Sequence, residues 1–365
     1  MTPTTTVLLG GWAIAFLFGA IASRSNFCTM GAIADVVNMG HWGRARAWML
    51  ALAVAVLGAN MLYLAGSIDL SQSVYHRPVI PWLSLLLGGA VFGIGMTLAG
   101  GCPSRNLVRL GQGSMRSLVV LVFLGVSGYM TLKGLFGQWR NDYLDTVVLD
   151  VSSLGLRTLS LPSLLSTGTG WPLEQALLVS MVLVAGALLA FVFLDRAFRG
   201  QPGQAASAAA LGFLICAGWY VTGHLGYGEN EETLETVYFA TNTRTLESLT
   251  FVGPVAYSLE LLMLWSDKSL HATFGIATVL GAFMGSLAMS VHQKSFHLEG
   301  FASADDLRRH LTGAVLMGFG GVTSIGCTIG QGLSGLSTLA PSSLLAVAGI
   351  VTGSSLTMKW LARDS

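Results

Sequence analysis

Three of the four cysteines lie in short polar motifs where a thiol could contact a small solute. Cys28 lies in Ser-Asn-Phe-Cys-Thr-Met-Gly, Cys102 in Gly-Gly-Cys-Pro-Ser-Arg-Asn, and Cys327 in Gly-Cys-Thr-Ile-Gly-Gln-Gly. Each follows an apolar run and precedes a stretch of about 10–13 residues, too short to cross a bilayer. Non-helical backbone at membrane depth must be covered by protein or line a cavity, so we predict three re-entrant half-helices beside a polar pathway. Cys216, inside an apolar run, is predicted to serve packing.

The chemistry expected at these motifs is anion binding. Pro103 suits the first turn of a helix, which makes Cys102 the N-cap. The N–H groups at a helix start lack partners and carry partial positive charge, and the thiol adds a weak donor. Core packing is the competing interpretation of the three cysteines. The residues predicted to support the path are Ser25, Asn26, Gly101, Pro103, Ser104, Arg105, Gly326, Thr328 and Gln331.

Composition identifies the bilayer as the main solvent of this chain. Of 365 residues, 53% are hydrophobic and 10% charged, against roughly 25% charged in a soluble domain. A net charge of +1 gives no argument for a nucleic-acid partner. The histidines form no zinc motif, and the G-x-G-x-x-G match at 330–335 has no strand before it. We therefore predict no metal, no cofactor and no soluble enzyme.

Hydropathy predicts an all-α polytopic membrane protein with about nine transmembrane helices and short re-entrant half-helices. Crossing the hydrocarbon takes roughly 20 apolar residues. A further apolar stretch at 251–265 contains Pro254 and Glu260 and is predicted to be a half-helix rather than a tenth span. The nine predicted spans are Val7–Ala22, Ala47–Gly66, Trp82–Ala99, Ser117–Leu135, Leu173–Leu194, Ala206–Thr222, Leu270–Val291, Leu311–Ile325 and Ser342–Leu361.

The distribution of basic residues predicts the orientation. With nine spans, thirteen lysines and arginines fall on one side and six on the other. The positive-inside rule then places the N-terminus in the periplasm and the C-terminus in the cytoplasm of a bacterial inner membrane. Arg105, Arg109 and Arg116 fall on the inner side, where they either draw in an anion or anchor the protein.

The two halves of the chain resemble each other. The block that ends at Cys102 (Gly-Ala-Val-Phe-Gly-Ile-Gly) is similar to the block that ends at Cys327 (Gly-Ala-Val-Leu-Met-Gly-Phe-Gly). Nine residues separate Gly93 from Cys102, and nine separate Gly318 from Cys327. A single linking span inverts the second half, as in many transporters. The predicted organisation is a first repeat at 1–136, an extracytoplasmic connection with the linker helix at 137–205, and an inverted second repeat at 206–365.

On these three motifs the chain resembles the YeeE/YedE membrane proteins, also called the sulfur-transport family, whose best-understood members take up thiosulfate. The resemblance implies inverted repeats that form an hourglass, with short helices leading to a constriction. It assigns the handling of the sulfur-containing ion to Cys28, Cys102 and Cys327. It also implies a TusA-like cytosolic sulfur-carrier protein as partner. The fourth element of the pattern, at 226–230, has no cysteine.

The predicted function is import of thiosulfate or a closely related sulfur anion, passed through the constriction by neutral thiols. The alternative is a membrane thiol–disulfide or sulfurtransferase enzyme that uses the same cysteines covalently. A membrane scaffold would explain none of the cysteine positions. The exact anion, the coupling ion and the oligomeric state stay open.

Overall fold

The computed structural model describes residues 2–151, 158–229 and 234–363 and is mostly helical. The predicted connection at 137–172 and the element at 226–230 each extend into residues outside these ranges. Within them the α-helices are α1 Pro3–Ser25, α2 Thr29–Met39, α3 Gly43–Leu64, α4 Trp82–Leu98, α5 Pro103–Gly111, α6 Met115–Lys133, α7 Leu135–Trp139, α8 Leu161–Thr169, α9 Leu173–Phe193, α10 Arg196–Arg199, α11 Pro202–Tyr220, α12 Val252–Met263, α13 Phe274–His292, α14 Ala304–Thr323 and α15 Pro341–Leu361.

Short irregular elements join these helices. Two antiparallel hairpins are formed by β1 with β2 and by β3 with β4. The strands are β1 Val79–Ile80, β2 Leu149–Asp150, β3 Tyr227–Glu229 and β4 Thr236–Tyr238. Single turns of π-helix occupy Arg140–Leu144, Val221–Leu225 and Gly330–Gly335, and a 3₁₀ turn occupies Leu70–Gln72.

Eight helical segments of the described chain are long and apolar enough to cross a membrane, which confirms an all-α polytopic membrane protein. Two of them are broken helices, α1 with α2 and α4 with α5. The spans are Pro3–Met39, Gly43–Leu64, Trp82–Gly111, Met115–Lys133, Leu173–Phe193, Pro202–Leu225, Phe274–His292 and Pro341–Leu361.

The ninth predicted span, Leu311–Ile325, is not among these eight. Its residues belong to α14, which begins seven residues earlier and carries Asp305, Asp306, Arg308 and Arg309 in its first turns. Charged side chains are costly in lipid, and they make this helix less apolar than the other spans. Its apolar part packs against α4 and α6.

The apolar stretch 251–265, predicted to be a half-helix, forms the 12-residue helix α12. At 1.5 Å per residue it is about 18 Å long, too short to cross the hydrocarbon. Its position between two spans is in keeping with a half-helix rather than a tenth crossing.

The helices contact each other in matched pairs. Helix α1 packs on α13 as α11 packs on α3, and α4 packs on α15 as α14 packs on α6. Helices α1 and α11 also touch each other, as do α4 and α14, while α9 packs on α3. Exchanging α1, α3, α4 and α6 for α11, α13, α14 and α15, in that order, therefore maps the contacts among these eight helices onto themselves, and α9 stands outside this symmetry. The repeat boundaries at 136 and 206 stay a prediction that this pattern supports.

Glycines bring the paired helices into backbone contact. Gly19 of α1 faces the carbonyl of Ala282 in α13, and Gly353 of α15 faces the carbonyl of Ala90 in α4. A Cβ at either glycine would overlap that carbonyl group. Close approach through small residues increases van der Waals contact, which is the main source of helix association in a bilayer.

Replacing Gly353 by Ala should destabilise the protein, because the new methyl group must push α15 away from the Ala90 carbonyl. We expect a loss of about 1–3 kcal/mol, measured as a lower unfolding midpoint in detergent. Gly186→Ala on α9 is the matched control, since no atom lies within 4 Å of the added Cβ. Equal effects of the two substitutions would contradict this packing.

Candidate functional site

A residue with the left-handed backbone conformation lies two positions before each of the three motif cysteines. These residues are Asn26 (φ 51°), Gly100 (φ 67°) and Ile325 (φ 58°). The left-handed conformation ends the preceding span and turns the chain into a new helical segment. It is costly for a β-branched residue such as Ile325, by about 1–2 kcal/mol, so the surrounding packing must hold this turn.

Two of the cysteines cap α-helices. Cys28 is the N-cap of α2, and its Sγ accepts a hydrogen bond from the Gly31 N–H at 3.4 Å. Cys102 is the N-cap of α5, with Pro103 as the first helical residue. Its Sγ lies 3.2 Å from the Ser104 hydroxyl. The predicted N-cap position of Cys102 is present in the structure.

The third cysteine precedes a wider turn. Cys327 is fully buried, and its Sγ accepts from the Gly330 N–H at 3.4 Å. The predicted half-helix is a single π-helical turn, Gly330–Gly335. A helical turn therefore follows this cysteine too, wound more widely than α2 and α5, with Thr250 packed on Gly330 and Trp48 packed on Gly332. The Thr250 hydroxyl lies 4.0 Å from the Cys327 Sγ.

Buried amide side chains hold two of the turns. The Asn106 Nδ2 donates to the carbonyls of Gly101 (2.9 Å) and Cys102 (3.2 Å). The Gln331 Nε2 donates to the carbonyl of Ser324 at 2.6 Å. Each amide lies four positions after its cysteine, a shared spacing that was visible in the sequence. Gln331 was among the predicted residues, whereas Asn106 was missed.

The three motif thiols lie in a series with Cys102 in the middle. Cys102 lies close enough to Cys28 and to Cys327 that a negative charge on its sulfur would act on either of them. All four cysteines are free. Cys216 lies apart from the series, where its Sγ donates to the Gly212 carbonyl at 3.4 Å, as suits a packing role.

At the Cys28 end, Arg105 presents an unused donor. Its Nη2 donates to the Asn26 Oδ1 at 3.3 Å. Its Nη1 is buried and has no hydrogen-bond partner among the described residues. Ser25 and Asn26 line a small pocket together with Cys28. The guanidinium group can therefore contribute a charge-assisted hydrogen bond beside this thiol.

The other arginines of the predicted inner face have structural contacts. The Arg109 Nη1 donates to the Gly100 carbonyl at 3.1 Å. Arg116 forms ion pairs with Glu299 and Asp306. The sequence left open whether Arg116 draws in an anion or anchors the protein, and these ion pairs favour the anchoring role.

At the opposite end, a cavity of about 300 Å³ reaches the turn before Cys327. We call it the Cys327 cavity; Gly326 lies in its wall beside Thr250 and Tyr75. Two arginines and two acids belong to the same wall: Arg77, Arg140, Asp145 and Glu247. Tyr75 was missed by sequence reasoning, because it belongs to a connecting loop with no recognisable motif.

Thr328, a predicted path residue, lies elsewhere. It lines a separate cavity of about 310 Å³ between α2, α3 and α15. The other lining residues there are almost all apolar. The structure therefore does not bring Thr328 to the Cys327 cavity.

These features define a multi-pass membrane protein in which the chain turns at three cysteines and a pocket lies near each end of the series. Residues 24–356 match the family model described as sulphur transport, and the chain belongs to this family. The thiosulfate transporter TsuA of Escherichia coli (strain K12) is 25% identical over 336 residues, which cover 90% of this chain and 87% of that protein. The thiosulfate transporter TsuA of Spirochaeta thermophila is 25% identical over 360 residues, covering 96% and 98%. The family resemblance found in the motifs is confirmed. The prediction of a transporter rather than an enzyme is also confirmed.

The four thiols should differ in reactivity toward a maleimide in the purified protein. Cys28 is half-buried, whereas Cys102, Cys216 and Cys327 are at most 5% exposed. Accessible thiols react first, so peptide mass spectrometry should find Cys28 labelled at least about tenfold faster than the others. Cys28→Ser should remove the fast phase. A fast phase that survives this substitution would contradict the structure.

Proposed function

We propose that the protein imports thiosulfate or a closely related sulfur anion across the bacterial inner membrane. The observation that carries the proposal is the series of three thiols at three equivalent chain turns, in a member of the sulphur transport family. Both curated relatives are named as thiosulfate transporters. The N-terminus is proposed to face the periplasm and the C-terminus the cytoplasm, on the basic-residue distribution.

The anion would enter through the Cys327 cavity. Arg77, exposed at its wall, would attract an anion, whereas the charge of Arg140 is paired with Asp145. Thr250 lines this cavity, and its hydroxyl lies 4.0 Å from the buried Cys327 thiol, so both groups would donate hydrogen bonds to an anion that reaches them. These donors replace part of the water that the anion loses.

The middle and inner steps would use Cys102 and then Cys28. Both thiols stand at helix starts, where backbone N–H groups and the helix dipole favour negative charge. The free Nη1 of Arg105 offers a stronger donor at the inner end. Because each thiol has a neighbour within electrostatic range, the anion would pass from one to the next with little motion of the protein.

The mechanism requires neutral thiols, because a thiolate has no proton to donate and would repel an anion. On the inner face, a TusA-like sulfur carrier is the proposed acceptor. The alternative, a thiol–disulfide or sulfurtransferase enzyme, has no specific observation in its favour, since both relatives are named as transporters.

Single Cys→Ala substitutions at 28, 102 and 327 test the proposed function directly. Each removes one hydrogen-bond donor to a charged solute, worth about 1.5–3 kcal/mol, so uptake of radiolabelled thiosulfate should fall about 10-fold to 150-fold. Cys216→Ala is the matched control and should retain uptake, because the hydrogen bonds of that thiol in the described structure go to backbone carbonyls within the helix packing. Unchanged import in all three motif variants would defeat the proposal.

A further inference from the structure

Glu247 places a carboxyl group in the wall of the Cys327 cavity. The residue is 9% exposed and lies in the connection before α12. Its Oε1 accepts hydrogen bonds from the Thr243 backbone N–H (2.8 Å) and from the Thr243 hydroxyl (2.6 Å). Its backbone carbonyl accepts from the Thr222 hydroxyl. These contacts hold the carboxyl group on the route proposed for the anion.

Glu247 differs from the other buried acids in having no cation partner within the described part of the chain. Asp35 pairs with Arg44 at 2.9 Å. Glu260 pairs with the Lys133 Nζ at 2.7 Å. A buried carboxylate without a cation loses hydration that no ion pair replaces, so it is the acid most readily held in its neutral form.

The titratable and charged groups around Glu247 are two phenols, one ion pair and one exposed arginine. Tyr75 and Tyr257 face it from the loop before β1 and from α12, and Tyr75 is also close to Cys327. Arg140, another lining residue of the cavity, is paired with Asp145 at 2.9 Å. Arg77 is exposed at the cavity rim.

Burial raises the pKa of Glu247, and the two hydrogen bonds from Thr243 oppose this effect in part. A dianion in the same cavity would raise the pKa further, because like charges disfavour ionisation. Coupling between two sites is reciprocal, so protonation strengthens anion binding by the same factor by which the anion strengthens proton binding. The protonated carboxyl can also donate a hydrogen bond to the anion.

We propose that Glu247 is an anion-binding residue in its protonated form, so that the Cys327 cavity takes up a proton together with a divalent sulfur anion. This inference rests on the proposed function. The proton comes from the outer solution, and the net charge that enters the cavity falls from two to one. Ionised Glu247 would instead repel the anion from the cavity.

Calorimetric titration of the purified full-length protein with thiosulfate tests this inference. Titrations between about pH 6 and about pH 8.5, in two buffers of different ionisation enthalpy, count the protons taken up per anion. The protonated form dominates below the pKa of Glu247, so affinity should fall as pH rises through it, by up to about tenfold per pH unit. Up to one proton should be taken up as the anion binds.

Glu247→Gln imitates the neutral carboxyl and should bind thiosulfate with no proton uptake and a flat pH profile. Glu174→Gln, the same change at an exposed helix start outside this cavity, should behave like the unmodified protein. If Glu247→Gln does not fold, Thr243→Val provides the second variant. Loss of one hydrogen bond to the carboxylate should move the midpoint of the pH profile upward, by about one pH unit.

Two results would overturn the inference and leave the proposed function standing. One is thiosulfate uptake by the unmodified protein with no proton taken up on binding at any pH tested. The other is proton uptake that persists in Glu247→Gln. Absence of both binding and uptake in the unmodified protein would instead overturn the proposed function, and the inference with it.

Discussion

Backbone hydrogen bonding is the constraint on which the rest of this structure depends. A helix interrupted inside a membrane exposes carbonyl and N–H groups that lipid cannot satisfy. Here side chains satisfy the exposed carbonyls. The Asn106 amide donates to two carbonyls of the turn at Cys102, and the Gln331 amide donates to the Ser324 carbonyl before Cys327. The Ser324 hydroxyl binds the Gly326 carbonyl in the same turn. These carbonyls are thus satisfied, while the N–H groups of Gly31 and Gly330 donate to the thiols of Cys28 and Cys327.

The close packing of the spans brings these turns together. Glycines such as Gly19 and Gly353 let helix backbones touch, and the matched contacts of the two halves place one broken segment from each half beside the other. Cys102 of the first half and Cys327 of the second then lie within electrostatic range. The proposed path runs through this meeting of chain breaks rather than through the middle of any regular helix.

The spans could be predicted from the sequence because the bilayer requires long apolar runs, which leave a clear local pattern. Leu311–Ile325 was the exception, since its helix continues into the charged segment that contains Asp305 and Arg309. The motif cysteines and Gln331 were also visible locally. Tyr75 and Glu247 were not, because loops distant in sequence bring them to the Cys327 cavity through tertiary packing. Tertiary packing also explains Thr328, which follows Cys327 in the sequence but faces a mostly apolar cavity.

The most direct test of the central claim is an experimental structure of the protein with thiosulfate bound. The account predicts an anion between Cys102 and one of its two neighbours in the series, at about 3.5 Å from unmodified thiol sulfurs, as a hydrogen bond from sulfur requires. An anion held only away from the three cysteines would contradict the account. A sulfur–sulfur bond of about 2.05 Å to any of them would also contradict it and would indicate covalent chemistry instead.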